Sequence, residues 1–80
     1  ITTVAVSPDF RRRGVATSLF NFIFAVGEAN DITAFTLEVR KSNIGAQRLY
    51  SQLGFVFVGI RRGYYQDNNE DAHIMWKRLK

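Results

Sequence analysis

The sequence contains no cysteine, which excludes disulfide bonds and thiolate ligands to metals. Histidine is almost as scarce: His73 stands alone, and a single histidine cannot form a zinc site. Long apolar runs are also missing, so the sequence shows neither a membrane-spanning segment nor a signal peptide. These absences lead us to expect a metal-free protein with no membrane partner. We also expect it to be cytoplasmic, since cytosolic chains seldom carry disulfides.

The length and the charge of the chain limit what it can be. Its 80 residues suffice for one small domain, 1–80, with a small buried core. The strand-like run that starts at Ile1 has no initiating Met, so we expect the C-terminal part of something longer. The 11 basic residues outnumber the 7 acidic ones and give a net charge of +4. This balance suits an anionic partner, either a phosphorylated cofactor or nucleic acid.

The hydrophobic pattern predicts alternating strands and helices. Phe35, Leu37 and Val39 alternate with polar residues, which is typical of a strand with one buried face. Apolar and β-branched runs predict the other strands, and helical spacing predicts two helices. The predicted strands are 1–6, 34–40, 55–62 and 71–79, and the predicted helices are 14–28 and 43–53. This β-α-β-α-β-β order indicates an α/β fold whose mixed sheet contains parallel pairs and closes in a hairpin.

The first helix carries a wide apolar face. Its polar face is correspondingly narrow, so the helix must be covered by other parts of a protein on more than one side. Because four strands cannot cover both helices fully, we expect either a missing N-terminal portion or self-association. A homodimer through an exposed strand edge is one form of the latter. The residues predicted to be buried are Val15, Leu19, Phe22, Ile23 and Val26, with Ala16, Phe20 and Phe24 widening the stripe.

The second helix has signals at both ends. Ser42 is the predicted N-cap, and Gly54 follows the helix at the position where glycine commonly ends one. Beyond the third strand, residues 63–70 are predicted to form a polar loop that carries two tyrosines. The residues of this helix predicted to face inward are Ala46, Leu49, Tyr50 and Leu53.

A basic segment with a glycine, residues 11–16, separates the first strand and its turn from the first helix. The first N–H groups of a helix lack internal partners and, together with the helix dipole, attract anions. Gly14 and Ala16 are small enough for a pyrophosphate to approach the backbone, and the three arginines add permanent positive charge. The alternative is a solvated basic loop before an ordinary helix. The segment lacks the lysine and hydroxyl pair of nucleoside triphosphatases, which argues against that class.

Three segments in order along the chain resemble the GNAT superfamily of N-acetyltransferases. Residues 6–16 resemble its acetyl-CoA signature, Q/R-x-x-G-x-G/A, with Arg11 where glutamine is common and Ala16 where glycine is common. Residues 37–55 resemble its second cofactor segment, and residues 61–75 are similar to the ribosomal-protein-alanine N-acetyltransferases. The resemblance covers nearly the whole chain. It implies a GNAT fold whose first three strands and first two helices, one wall of the substrate groove, are not in this chain.

The resemblance implies an acetyl-CoA site at the start of the chain. The backbone of the first strand would pair with the pantetheine arm of acetyl-CoA, and the backbone of residues 12–17 would hold its pyrophosphate. A further contact would come from the start of the second helix. The implied cofactor-binding residues are Val4, Val6, Arg11, Arg12, Arg13, Gly14, Val15, Ala16, Thr17 and Asn43.

The resemblance also implies the groups that carry out acetyl transfer. Glu38 would be the general base and Tyr50 the general acid, while Tyr64 and Tyr65 would help to hold the substrate's N-terminus. An α-amine has a pKa of about 7.7–8.0, so part of it is already neutral near pH 7, and a carboxylate acting through water is an adequate base. A phenol, with a pKa of about 10, stays protonated until it donates. We therefore expect transfer to the N-terminal α-amine of a protein such as a ribosomal protein.

Each of these residues also has a structural interpretation. Glu38 could be a surface partner of Arg40, and Tyr50, on the predicted buried stripe, could be only a core aromatic. Asn43 could be part of the helix cap, and the tyrosine pair could consist of turn aromatics. Three residues receive no functional role: His73, expected on a strand facing water, and Met75 and Trp76, expected in the core.

Other functions stay open at this point. The same mechanism would serve a lysine or small-amine acetyltransferase, and the missing half favours an inactive acyl-CoA-binding fragment. The basic charge favours a nucleic-acid-binding module, but the aromatic residues lie mostly at core-like positions rather than in a stacking array. We expect an acetyl-CoA-dependent N-acetyltransferase with an amine substrate, no metal and no nucleic acid partner.

Overall fold

The computed structural model describes residues 3–6 and 13–79. This part of the chain forms strands and helices in the predicted order. They are β1 Thr3–Val6, α1 Arg13–Ala29, β2 Ala34–Arg40, α2 Ile44–Gln52, β3 Val56–Tyr65 and β4 Glu70–Arg78. The turn predicted after the first strand lies outside the described residues. No helix in the described ranges is long and apolar enough to span a bilayer.

The strands form one mixed sheet in the order β1-β2-β4-β3. β1 runs parallel to β2, whereas β4 is antiparallel to both β2 and β3. The predicted mixed sheet and closing hairpin are confirmed. The expectation of several parallel pairs is wrong for the described strands, because β4 returns from the hairpin into the position between β2 and β3.

The core lies between the sheet and the two helices, which both cover the same face. Phe35, Leu37 and Val39 of β2 are buried beneath them, as the alternation predicts. Phe20 of α1 is fully buried, and its ring contacts that of Phe55 with centroids 5.7 Å apart. Burying a side chain of this size contributes about 1.5–3 kcal/mol, so a few aromatic rings provide much of the stability.

The buried face of α1 matches the prediction only in part. Phe20, Ile23 and Phe24 pack against the core as predicted, whereas Leu19 is 36% exposed, Phe22 66% and Val26 43%. A Cβ on Gly27 would lie 2.9 Å from Cζ of Phe35, so the missing side chain lets this helix turn sit directly on the sheet. Close contact at Gly27 therefore turns the aromatic part of the predicted stripe inward. The side chains of Val15 and Ala16 lie outside the described residues.

The start of α2 also needs a correction. The N-cap is Asn43, not Ser42, because the Asn43 side chain accepts a hydrogen bond from the N–H of Ala46 at 3.1 Å. Ser42 is still in the preceding turn, where its N–H donates to the Glu70 carboxylate. At the other end, Gly54 has a φ of 98°, which confirms the glycine stop signal.

The first hairpin strand, β3, is longer than predicted, and β4 begins one residue earlier than predicted. β3 continues through Tyr65 and β4 begins at Glu70, so the predicted loop of residues 63–70 shrinks to a turn at 66–69. Gly63 has a φ of 60° within an irregularity of β3, and its N–H donates to the Asp71 carboxylate at 2.9 Å. The irregularity lets the strand pairing continue past Gly63, although a glycine at this position favoured the prediction of a loop.

Candidate functional site

The sheet face opposite the helices carries a row of charged and aromatic side chains. Glu38 and Arg40 alternate with the buried residues of β2, so they project to this face. The register brings Arg61 opposite Ala72, which itself lies opposite Arg40. Tyr65 lies opposite Glu70 on the same face. Because directly paired residues share one face of a sheet, these four candidate side chains lie together.

Glu38, the predicted base, is half-buried on this face. Its side chain is 24% exposed, and its Oε1 lies 3.7 Å from Nε of Arg61. The alternative pairing of Glu38 with Arg40 is wrong, because the Arg40 guanidinium is bound to Asp67 and Glu70. The carboxylate thus stays partly open to solvent, as a base that acts through water requires.

Burial and neighbouring charges shift the pKa of the Tyr65 phenol. Burial raises the pKa of its phenol, the Arg40 cation lowers it, and the charges of Glu38 and Glu70 raise it. The Arg40 guanidinium lies 4.0 Å from the centre of the Tyr65 ring. The Tyr64 ring packs edge-on against the Tyr65 ring, with centroids 5.1 Å apart. Both tyrosines belong to β3, so the alternative interpretation as turn aromatics is wrong.

Tyr50, the predicted acid, belongs to the core. Only 5% of its surface is exposed, and its ring contacts Phe20 and Phe55 edge to face. Burial raises the pKa of its phenol, and the Tyr65 phenol raises it further. Tyr50 is therefore protonated at neutral pH. It packs as the structural interpretation requires.

The predicted cofactor residues of the first strand and helix are described in part. Val4 lies half-buried against the core, at the position of β1 that pairs with Phe35, and Val6 pairs with Leu37. Arg11 and Arg12 lie outside the described residues, as do the side chains of Val6, Arg13, Gly14, Val15 and Ala16. Thr17, on α1, is half-buried.

The first turn of α1 can accept an anion. The helix begins at Arg13, within the basic segment of residues 11–16, and has no acidic residue in its first turn. Its first N–H groups have no intrahelical acceptor, so a pyrophosphate would meet unpaired donors and no repelling carboxylate. The contact with pyrophosphate stays a prediction.

Asn43 is confirmed as the cap of α2. Its Oδ1 accepts from Ala46, which leaves the side-chain amide NH₂ as the group that could reach a cofactor. Its predicted cofactor contact stays a prediction. The capping role explains why the helix starts at Ile44, one residue later than the pattern suggests.

Sequence reasoning missed the network around Arg40. This guanidinium contacts Asp67 at 3.0 Å and Glu70 at 3.1 Å, and Glu70 in turn accepts from the Ser42 N–H at 2.7 Å. Hydrogen bonds from Ser42 and Arg40 lower the pKa of Glu70 to about 2. The sequence signal was an arginine at the end of one strand and a carboxylate at the start of another. Only the pairing of β2 with β4 connects them.

His73 was expected to face water, and that expectation is wrong. It is half-buried on the helix side of the sheet, with its ring 4.9 Å from that of Phe57. It lines a cavity of about 250 Å³ together with Gln47, Ser51 and Met75, on the face opposite Glu38. Met75 is buried as expected, and Trp76 is half-buried. Among residues 3–6 and 13–79, no cluster of three histidine or acidic side chains could hold a metal ion.

Several known proteins resemble this chain in sequence and in fold. The pattern of the acetyltransferase (GNAT) family matches residues 1–55. The chain is 42% identical over 74 residues to a ribosomal protein bS18-alanine N-acetyltransferase of Escherichia coli strain K12, covering 90% of the chain and 50% of that relative. It is 40% identical over 81 residues to an N-alpha-acetyltransferase of Saccharolobus solfataricus, covering 99% of the chain and 47% of that relative.

A solved structure also matches along nearly the whole chain. Ard1 from Thermoplasma volcanium superposes with a TM-score of 0.86 at 28% sequence identity, covering 99% of this chain and 56% of that one. The chain therefore spans about half the length of the curated relatives it matches.

Proposed function

Because the chain belongs to the GNAT acetyltransferase family, we propose that it supplies the cofactor-binding and catalytic residues of an enzyme that acetylates protein N-termini. The acetyl group comes from acetyl-CoA and goes to an N-terminal α-amine. The observation that carries this proposal is the Glu38 carboxylate, which is half-buried on the sheet face opposite the helices, 24% exposed and 3.7 Å from Nε of Arg61. Tyr65, on the acceptor side, lies on the same face of the sheet, while Tyr50 lies in the core on the other side.

The base has an undemanding task in this reaction. An α-amine with a pKa of about 7.7–8.0 is partly neutral at physiological pH, unlike a lysine amine at about 10.4. Glu38, partly exposed, takes the proton that leaves the amine nitrogen as its bond to the acetyl carbon forms, through an intervening water. A base of this kind favours α-amines over lysine amines as acceptors, because only the former are partly neutral at this pH.

The acid has the complementary task. The bond between the acetyl carbon and the sulfur of CoA breaks, and the departing thiolate takes a proton. Tyr50 can supply it, since burial raises the pKa of its phenol and keeps the proton in place at neutral pH. The aromatic contacts with Phe20 and Phe55 fix the ring, which limits the positions that the hydroxyl can occupy.

The acetyl-CoA site is supported by the fit of the chain to a phosphorylated ligand. β1 leads towards the basic segment, and α1 starts without an acidic residue in its first turn. The backbone of residues 12–17 would hold the pyrophosphate, and Val4, Val6 and Asn43 would contact the rest of the cofactor. Pantetheine has amide groups, which suit backbone pairing along a strand.

The acceptor is proposed from the relatives. The Escherichia coli relative is named for the alanine of ribosomal protein bS18, and the Saccharolobus solfataricus relative for N-alpha acetylation. Tyr64 and Tyr65 would hold the acceptor N-terminus from β3. A ribosomal protein as acceptor also supports a cytoplasmic location, which stays a prediction.

Self-association stays a prediction as well. The outer strand β3 exposes apolar side chains on both of its faces, each 45–56% exposed. This edge supports a homodimer, and sedimentation at increasing protein concentration tests it. A monomer at every concentration would contradict it. These side chains belong to Val56, Phe57, Val58 and Ile60.

Calorimetric titration of the chain with acetyl-CoA tests the cofactor half of the proposal. We expect saturable binding of acetyl-CoA, weaker binding of 3′-dephospho-CoA and none of a short DNA duplex. Binding of DNA without any response to acetyl-CoA would contradict the proposal and favour a nucleic-acid-binding module.

A pair of variants on α1 locates the site. Ala16→Asp puts a carboxylate into the first helical turn, where it repels a pyrophosphate and yet suits the helix dipole. We expect it to abolish acetyl-CoA binding in a folded chain. Ala25→Asp makes the same change at an exposed position of the same helix and should leave binding intact.

A further inference from the structure

The guanidinium of Arg40 is held from several sides. Its Nη2 lies 3.0 Å from the Asp67 carboxylate, and its Nη1 donates to Glu70 at 3.1 Å and to Asn68 at 3.3 Å. Its Cζ atom lies over the Tyr65 ring, 4.0 Å from the ring centroid. One side chain at the end of β2 thus contacts the last residue of β3, the turn that follows and the first residue of β4.

The second carboxylate oxygen of Glu70 extends the contact to α2. It accepts from the Ser42 N–H at 2.7 Å, just before the Asn43 cap. The carbonyl oxygen of Arg40 accepts from the Gln47 side chain at 3.0 Å, which ties the same corner to the helix. Arg40 and Glu70 together therefore connect the hairpin end with the helix that bears Tyr50.

We propose that Arg40, held by Asp67 and Glu70, is a positioning residue that fixes Tyr65 against the acceptor site. The proposal rests on the proposed function, in which Tyr65 holds the acceptor N-terminus. Arg40 itself does not touch the reacting atoms. It acts through the Tyr65 ring, which it covers, and through the turn that determines where β3 ends.

The composition of the network favours positioning over simple surface pairing. A planar guanidinium with a fixed fork of donors binds two carboxylates in one geometry, whereas a lysine would bind one at a time. The Glu70 side chain is only 13% exposed, while the Arg40 side chain is 35% exposed and that of Asp67 64%. Exposed ion pairs add little to global stability, so removing Arg40 should disturb local geometry more than folding.

Steady-state kinetics test the proposal in an enzyme that contains this chain and transfers acetyl groups. We would use this chain joined to the residues of the Escherichia coli relative that it does not match. Arg40→Gln should raise KM for an acceptor peptide about tenfold, because a binding group is displaced, and leave the Kd for acetyl-CoA unchanged. Arg40→Lys should recover part of the loss. Arg48→Gln removes the same charge from an exposed position on α2 and should change neither quantity.

The titration of Tyr65 in the chain by itself provides a test that needs no activity. Carbon-13 NMR of labelled tyrosines follows each of the 3 phenols, assigned with Tyr64→Phe and Tyr65→Phe variants. If Arg40 holds the ring in place, Arg40→Gln frees it from its half-buried position, and its raised pKa falls towards the ordinary value of 10.0. If the ring stays in place without Arg40, loss of the nearby cation raises the pKa further.

The two measurements separate the failure of this inference from failure of the proposed function. A Tyr65 pKa that rises in Arg40→Gln, or an acceptor KM that does not change in an active enzyme, would overturn the positioning role. Absence of acetyl transfer in the unsubstituted enzyme would contradict the proposed function. In that case the fall or rise of the Tyr65 pKa would still decide whether Arg40 fixes the ring.

Discussion

The ring of Tyr50 meets the fully buried ring of Phe20 edge to face, with centroids 5.8 Å apart and planes inclined by 67°. The candidate acid of the site is therefore also a member of the hydrophobic core. Packing holds the phenol in place and keeps it protonated, because the same burial that stabilises the fold raises its pKa. Stability and activity should consequently respond together to changes at this contact.

Substitution of Phe20 should destabilise the chain far more than substitution of Phe22 on the same helix. Phe20→Ala leaves a cavity beside Tyr50 and Phe55 and should lower the free energy of unfolding by about 3–5 kcal/mol. Phe22 is 66% exposed, so Phe22→Ala should change it by at most about 0.5 kcal/mol. Urea denaturation followed by circular dichroism measures both. Equal losses would contradict the observed orientation of α1.

Removal of the Tyr50 hydroxyl should slow acetyl transfer without loosening the core. Phe retains the ring contacts with Phe20 and Phe55, so Tyr50→Phe should keep the melting temperature and the affinity for acetyl-CoA. Loss of the proton donor should lower kcat about a hundredfold. An unchanged kcat would mean that Tyr50 is only a core aromatic, as its structural interpretation holds.

Neutralisation of Glu38 should remove the base. Glu38→Gln keeps the shape of the side chain but cannot accept the proton, so kcat should fall about a hundredfold while KM for the acceptor changes little. Glu28→Gln makes the same substitution at an exposed position of α1 and is the matched control. Full activity of Glu38→Gln, or an equal loss in both variants, would count against Glu38 as the base.

Acid should destabilise the chain through Glu70. Its pKa in the folded chain is about 2, below the ordinary 4.5, so its contribution to stability is complete above the ordinary value and is lost as the pH falls to about 2. Glu70→Gln has no carboxylate to protonate and should show a smaller fall in the free energy of unfolding over this range. Thermal melts at several pH values would measure the difference, and identical pH profiles would contradict the role of Glu70.

The course of the chain could be predicted wherever local pattern determines it. The alternation in β2 predicted its bounds, because one face is buried and the other is not. The length of α1 was nearly right, but its buried face was right only in part, since the close contact of Gly27 with Phe35 has no signature in helical spacing. The extension of β3 past Gly63 was missed for a similar reason: the irregularity depends on the Asp71 carboxylate of the partner strand.

Only part of the candidate site could be predicted from the sequence, because the rest depends on how distant strands pair. Glu38, Tyr50, Tyr64 and Tyr65 followed from the resemblance to a family. The structure places Glu38 and Tyr65 on one face of the sheet, and Tyr50 in the core on the other side. The network of Arg40 with Glu70 joins residues 30 positions apart. It depends on the insertion of β4 beside β2, which no local pattern shows.

Mass spectrometry of an acceptor peptide tests the central claim most directly. The peptide would carry a free N-terminal alanine and one internal lysine, and the enzyme would be this chain joined to the unmatched residues of the Escherichia coli relative. We predict that the acetyl group of acetyl-CoA is found on the α-amine, and that Glu38→Gln and Tyr50→Phe each suppress its transfer. Acetylation of the lysine alone, or no transfer by a folded enzyme that binds acetyl-CoA, would contradict the account.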